Sequence, residues 1–157
     1  MVTTREIADA FDDGVKYFNT FGGNPVSCAI GTTVLDIVED DNLQSHASEI
    51  GEYFLRSLEG LKSQHAIIGD VRGQGLYLGI ELVKDEETKE PAPDEALEIS
   101  EAMMMNGVIV YPTGVYENVL KLKPPMVFSR DDVDFFVATL DRVLAARSQE
   151  HSSPEEG

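Results

Sequence analysis

Residues 20–25 read TFGGNP and place a hydroxyl, two residues without side chains and an Asn-Pro pair within one short stretch. Asn24 is a favoured residue just before a helix, and Pro25 suits its first position, because the N–H that proline lacks would be unpaired there anyway. A helix start carries unpaired N–H groups and the positive end of the helix dipole, so it favours an anion. Gly22 and Gly23 keep side chains out of the approach, and the Thr20 hydroxyl can donate one more hydrogen bond. That combination suits a phosphate group. The same residues also describe a capped helix behind a glycine turn that binds nothing, and the hexapeptide alone does not separate the two.

The elements that would position this motif follow from the spacing of apolar residues. A helix is predicted from Pro25 to about residue 41, with Val26, Ile30, Val34, Ile37 and Val38 at helical intervals. Before it, MVTTREIADAF reads as a strand end and a short helix, with Thr4 as cap and Ile7, Ala8 and Phe11 on one face. A second long helix covers about Leu43 to Lys62, with Leu43, Ala47, Ile50, Phe54, Leu58 and Leu61 as its stripe. From Ile67 the period shortens: IIGDVRGQGLYLGIELV predicts strands over 67–72 and 75–83, or one bent strand. KDEETKEPAPDE is a charged surface loop. DEALEISEAMMMNG is a helix stopped by Asn106-Gly107. VIVYP and NVLKLK are short strands around TGVYE. Ser129 and Asp132 form a capping box for a last helix to about Arg147, carrying Val133, Phe136, Val137, Leu140 and Leu144. Residues 148–157 read as a disordered tail. Helices and strands in this order predict an α+β domain, with helices on one face of a small, mostly antiparallel sheet.

Composition removes several classes of function. The chain has 157 residues, 42% of them apolar, which is enough for one domain with a core. Twelve Lys and Arg against 29 Asp and Glu give a net charge of −17, which argues against nucleic acid and anionic membrane as partners. No apolar run approaches the ~20 residues of a membrane span, and the N-terminus has no secretory pattern. With Cys28 as the only cysteine there is neither an internal disulfide nor a cysteine metal cluster, and a reducing cytoplasm fits. His46, His65 and His151 read as surface or tail residues without metal-ligand spacing, so no metal is expected. Cys28 reads as a small buried apolar residue, and Met103, Met104 and Met105 as core and helix filler.

Three stretches in order, YFNTFGGNPVSCAIG, GDVRGQGLYLGIELVKD and NVLKLKPPMVFS, resemble the C-terminal part of class III aminotransferases. These are fold-type-I enzymes dependent on pyridoxal phosphate (PLP). The likeness runs from about Val2 to Arg147 and is strongest to the branch holding alanine–glyoxylate aminotransferase 2 and the phospho-lyases. It implies the small domain of such an enzyme over 42–147, a linking helix over 25–41 and a remnant of the large PLP-binding domain over 1–24.

The resemblance implies that Thr20 hydrogen-bonds the PLP phosphate held mainly by the other subunit of a homodimer, with Gly22 and Gly23 shaping the turn. It further implies a small amine or amino-acid donor and a keto-acid or aldehyde acceptor. The family's Schiff-base lysine lies upstream of this motif, so no catalytic residue is assigned here and the chain alone is expected to be inactive. Where many members have an arginine that binds the substrate carboxylate, this chain has Lys121, as members of the phospho-lyase branch do. Lysine is a point charge that cannot make the bidentate fork of an arginine, so this departure weakens the simple amino-acid transaminase reading. It keeps a phospho-lyase acting on a phosphorylated amine as the alternative to the aminotransferase. Lys121 and Lys123 also read as ordinary strand lysines. Arg72 either approaches the substrate cleft or bonds main-chain carbonyls at the strand bend, where Gly73 and Gly75 sit. A non-catalytic, self-associating domain is the rival from outside enzymology.

Overall fold

The computed structural model describes residues 3–12, 14 and 16–152, so the expected strand end at Met1–Val2 and the tail beyond 152 lie outside it. The chain divides into two compact units, residues 1–38 and 39–157, and the division falls inside a helix rather than at either end of it.

The first unit opens with helix α1 (Arg5–Phe11), which follows Thr4 in extended backbone; the Thr4 hydroxyl makes no cap bond to the helix. Helix α2 (Pro25–Asp40) begins as its sequence requires. The Asn24 side-chain oxygen accepts the N–H groups of Val26 at 2.9 Å and Ser27 at 3.3 Å. No residue of α1 or α2 is buried, and Val26, Ile30, Val34 and Leu35 are exposed. Cys28, expected to be buried, is exposed as well.

The second unit contains helix α3 (Leu43–Lys62), strands β1 (Ile68–Gln74) and β2 (Tyr77–Leu82), helix α4 (Pro93–Met105), strands β3 (Tyr111–Thr113) and β4 (Val119–Leu122), and helix α5 (Arg130–Ser152). The four strands form one antiparallel sheet in the order β1-β2-β4-β3. The glycine-broken stretch is therefore two strands. They are joined by a two-residue loop with Gly75 at φ +54° in its first central position, the residue choice of a type II′ hairpin.

One face of the sheet is the core face. Val71, Ile80, Leu120 and Pro112 fall in register across it, and Leu78, Leu82 and Leu122 join them. Against this face pack Phe54, Leu58 and Leu61 of α3, Ile99 and Met103 of α4, and Val133, Phe136, Leu140 and Leu144 of α5. The period-2 alternation of the strands and the helical stripes thus serve one apolar layer. Helix α5 starts with the expected box: the Ser129 N–H and hydroxyl donate to Asp132 at 2.9 and 2.6 Å, and the Asp132 N–H returns a bond to the hydroxyl at 3.2 Å.

Several expectations need correcting. Strand β3 covers only 111–113, because the Val108 N–H goes to Met103 and the Val110 carbonyl accepts from the Ser100 hydroxyl at 2.5 Å, tying that stretch to α4. The last helix runs five residues past Arg147 to Ser152, since no Gly or Pro interrupts it before Pro154. Only Met103 of the three methionines is buried; Met104 and Met105 are exposed. His65 is not a surface residue: its ring is largely covered and its Nε2 lies 2.7 Å from Asp141 Oδ1. His46 is half-buried, with Nε2 2.9 Å from the Phe128 carbonyl oxygen.

Candidate functional site

The Thr20 turn is organised by a residue that the sequence reading passed over. The side-chain oxygen of Asn19 accepts the N–H groups of Phe21 at 3.0 Å and Gly22 at 3.1 Å, and its amide nitrogen donates to the Tyr17 hydroxyl at 3.1 Å. This is an Asx-type turn, and Asn two and three residues ahead of the bonded N–H groups was its available signal. The two glycines have separate reasons. A Cβ at Gly22 would stand 2.8 Å from Asn19 Nδ2, whereas Gly23 has φ +70°, a conformation that favours glycine.

Asn19 and Asn24 therefore use four of the N–H groups expected to meet an anion: those of Phe21, Gly22, Val26 and Ser27. Among the described residues no partner is recorded for the Thr20 hydroxyl or for the N–H groups of Gly23 and Asn24, and all three residues are exposed. What the turn offers is one hydroxyl and two amides, a narrower set than the motif suggests, and Gly22 contributes shape rather than a donor.

The other two candidates share the second unit. Arg72, Gly79, Lys121 and Tyr111 are cross-strand neighbours in a single row, on the face of the sheet opposite the core. Arg72 and Lys121 are two strands apart, about 10 Å at the spacing of neighbouring strands. Between them lies a shallow cavity of about 470 Å³, bordered also by Gln74, Tyr77, Thr113 and Val119. Among the described residues Arg72 bonds no main-chain carbonyl. Its Nη1 donates to Asp70 Oδ2 at 2.7 Å and Glu81 Oε2 at 2.5 Å, and these two hydrogen bonds, Asp70 first, raise its pKa above the ordinary arginine value. Asp70 also meets Lys62 Nζ at 3.9 Å. Lys121 has no ion pair among the described residues, and Lys123 Nζ lies 5.4 Å over the Tyr77 ring.

The family Aminotransferase class-III matches residues 1–144. The chain belongs to the class III aminotransferases. It is 46% identical over 141 residues to alanine–glyoxylate aminotransferase 2 homolog 2 of Arabidopsis thaliana, covering 90% of this chain and 29% of that protein. It is 42% identical over 147 residues to ethanolamine-phosphate phospho-lyase homolog 1 of Caenorhabditis elegans, covering 92% and 31%. Among solved structures it superposes with a TM-score of 0.85 on a phospholyase from Arthrobacter in complex with phosphoethanolamine, at 36% identity, covering 97% of this chain and 35% of that one. This class III chain thus spans about a third of the length of the relatives it matches.

Pyridoxal phosphate is the cofactor of the family, and a similar amine transaminase from an uncultivated Pseudomonas species is PLP-bound. The donor set at the Thr20 turn fits an edge of its phosphate, because a hydroxyl and main-chain amides are what a phosphate oxygen accepts from. Among the described residues of this class III chain, no helix is long and apolar enough to cross a membrane.

Proposed function

We propose that this chain is the C-terminal segment of a PLP-dependent enzyme that moves an amino group from an amine or amino acid to a keto acid or aldehyde. The observation that carries the reading is the Thr20 turn, where a hydroxyl and the amides of Gly23 and Asn24 stand exposed, without recorded partners, ahead of a helix start. In a homodimer these groups grip the phosphate of a cofactor held mainly by the other subunit. Bound PLP supplies the aldehyde that exchanges amines and the ring that accepts electrons. This chain's part is to hold the phosphate edge and, through the open sheet face, to orient the substrate.

In the whole enzyme, Thr20→Ala should weaken PLP retention about tenfold, as expected for a lost hydrogen bond to a charged group. Dialysis followed by absorbance of retained PLP measures it, and unchanged retention overturns this role. The 157-residue chain alone should neither turn over nor trap PLP at one defined lysine under borohydride. A cytoplasmic location stays part of the reading and rests on the single cysteine, although the Arabidopsis relative is by name mitochondrial.

Lys121 favours a second reading, a phospho-lyase acting on a phosphorylated amine. An ammonium with no ion pair among the described residues, on the open face of the sheet, suits a compact phosphate dianion better than the planar carboxylate that an arginine fork would take. Amino transfer from alanine to glyoxylate, set against phosphate release from O-phosphoethanolamine, separates the two in the whole enzyme.

A further inference from the structure

Most glycines of the sheet region have an internal reason to lack a side chain. A Cβ at Gly51 would lie 2.1 Å from the Gly75 carbonyl oxygen, at Gly69 2.6 Å from Val83, and at Gly73 2.3 Å from the Tyr77 carbonyl oxygen. Gly75 sits at φ +54°. Gly79 differs. It stands in the middle of β2, which is paired on both sides, and its backbone is outside the left-handed region. An added Cβ would meet only the Val119 side chain at 3.2 Å, a tight contact with a side chain and not with backbone.

Glycine inside a strand weakens it, and one without a local backbone reason marks a place where something comes close. The charges around it say what that is. Arg72 is held by Asp70 and Glu81, and Lys62 by Asp70 and Glu59, so both cations of that network are already paired. Lys121, beside Gly79, has no ion pair among the described residues, on a protein of net charge −17.

We propose that Gly79 is the specificity-determining position of the open face: its missing side chain admits a phosphate-sized anion beside Lys121, and any side chain there restricts the face to a smaller carboxylate. This rests on the reading of Lys121 as a substrate-binding residue. Arg72, fixed by Asp70 and Glu81, forms the far wall of the cavity.

The test titrates the 157-residue chain with inorganic phosphate and with acetate, following the amide signals of Gly79 and Lys121 by NMR. Phosphate should produce saturable shifts that Lys121→Met abolishes. Gly79→Ala should weaken phosphate about tenfold while changing acetate by less than about threefold. Its melting temperature should stay equal or rise, since alanine loses less backbone freedom on folding. Unchanged phosphate affinity in Gly79→Ala, or a melting temperature several degrees lower, overturns the role of Gly79 while leaving Lys121 in place. Phosphate binding that survives Lys121→Met overturns the Lys121 reading itself. An absence of saturable shifts in the unaltered chain overturns both.

Discussion

Helices α2 and α3 are written in the same alphabet but differ in what their stripes meet. In α2, Val26, Ile30, Val34 and Ile37 recur at helical spacing and all four are exposed. In α3, Ile50, Phe54, Leu58 and Leu61 recur at the same spacing and all four are buried. Periodicity specifies a helix and which face is apolar; it does not say that this chain covers the face. Stability of the 39–157 unit therefore resides in its own layer of helices on sheet, while no residue of α1 or α2 is buried among the described residues.

The largest effect expected from this contrast comes from truncating one residue in each stripe. Leu58 is fully buried among α3, α5 and the sheet, so Leu58→Ala should cost about 2–5 kcal/mol through lost burial and the cavity left behind. Ile30→Ala in α2 should stay within about 0.5 kcal/mol, as at other exposed positions. Urea unfolding followed by circular dichroism compares them. A large loss for Ile30→Ala would show that something covers α2 and would erase the distinction.

A smaller effect sharpens the contrast at two helical glycines. Gly51 of α3 is buried where the helix meets the β1–β2 hairpin, and an alanine methyl there would run into the Gly75 carbonyl oxygen. Gly51→Ala should cost about 1–3 kcal/mol from forced backbone displacement. Gly31 of α2 has nothing within 4 Å of an added Cβ, so Gly31→Ala should strengthen its helix by about 0.5–1 kcal/mol. Slower amide exchange within α2 would report that gain. Equal responses at the two glycines would contradict the contrast.

The same division explains how much the sequence disclosed. Boundaries that local chemistry dictates were legible: α3 spans Leu43–Lys62 as its stripe predicts, Asn24 caps α2, and Ser129 with Asp132 starts α5. Features decided by tertiary partners were not. Nothing in VIVYP announces that α4 takes the polar groups of residues 108 and 110 and shortens the strand. His65 looked solvated because its partner, Asp141, is 76 residues away. The TFGGNP stretch was legible as a turn, but not which of its amides lack a partner among the described residues, since that depends on where the Asn19 and Asn24 side chains point. Arg72 and Lys121 could each be singled out from the motifs that carry them. That they share a row across Gly79 required the register of three strands.

The smallest effect uses the caps of the two helices. Asn24 caps α2 with an amide that does not titrate, whereas Asp132 closes the box at the start of α5 with a carboxylate. The Ser129 hydroxyl, and then its N–H, hold the Asp132 pKa below the usual aspartate value. A carboxylate whose pKa is depressed by folding adds stability above its unfolded pKa and loses it as pH falls through the folded one. The start of α5 should therefore fray as pH drops below about 4, while the start of α2 keeps its cap. Amide signals of Asp132 and Val133, set against those of Val26 and Ser27, measure both ends in one acid titration. Asp132→Asn should remove the pH dependence at α5. Parallel fraying at both helices would mean that acid acts through the fold as a whole and not through this carboxylate.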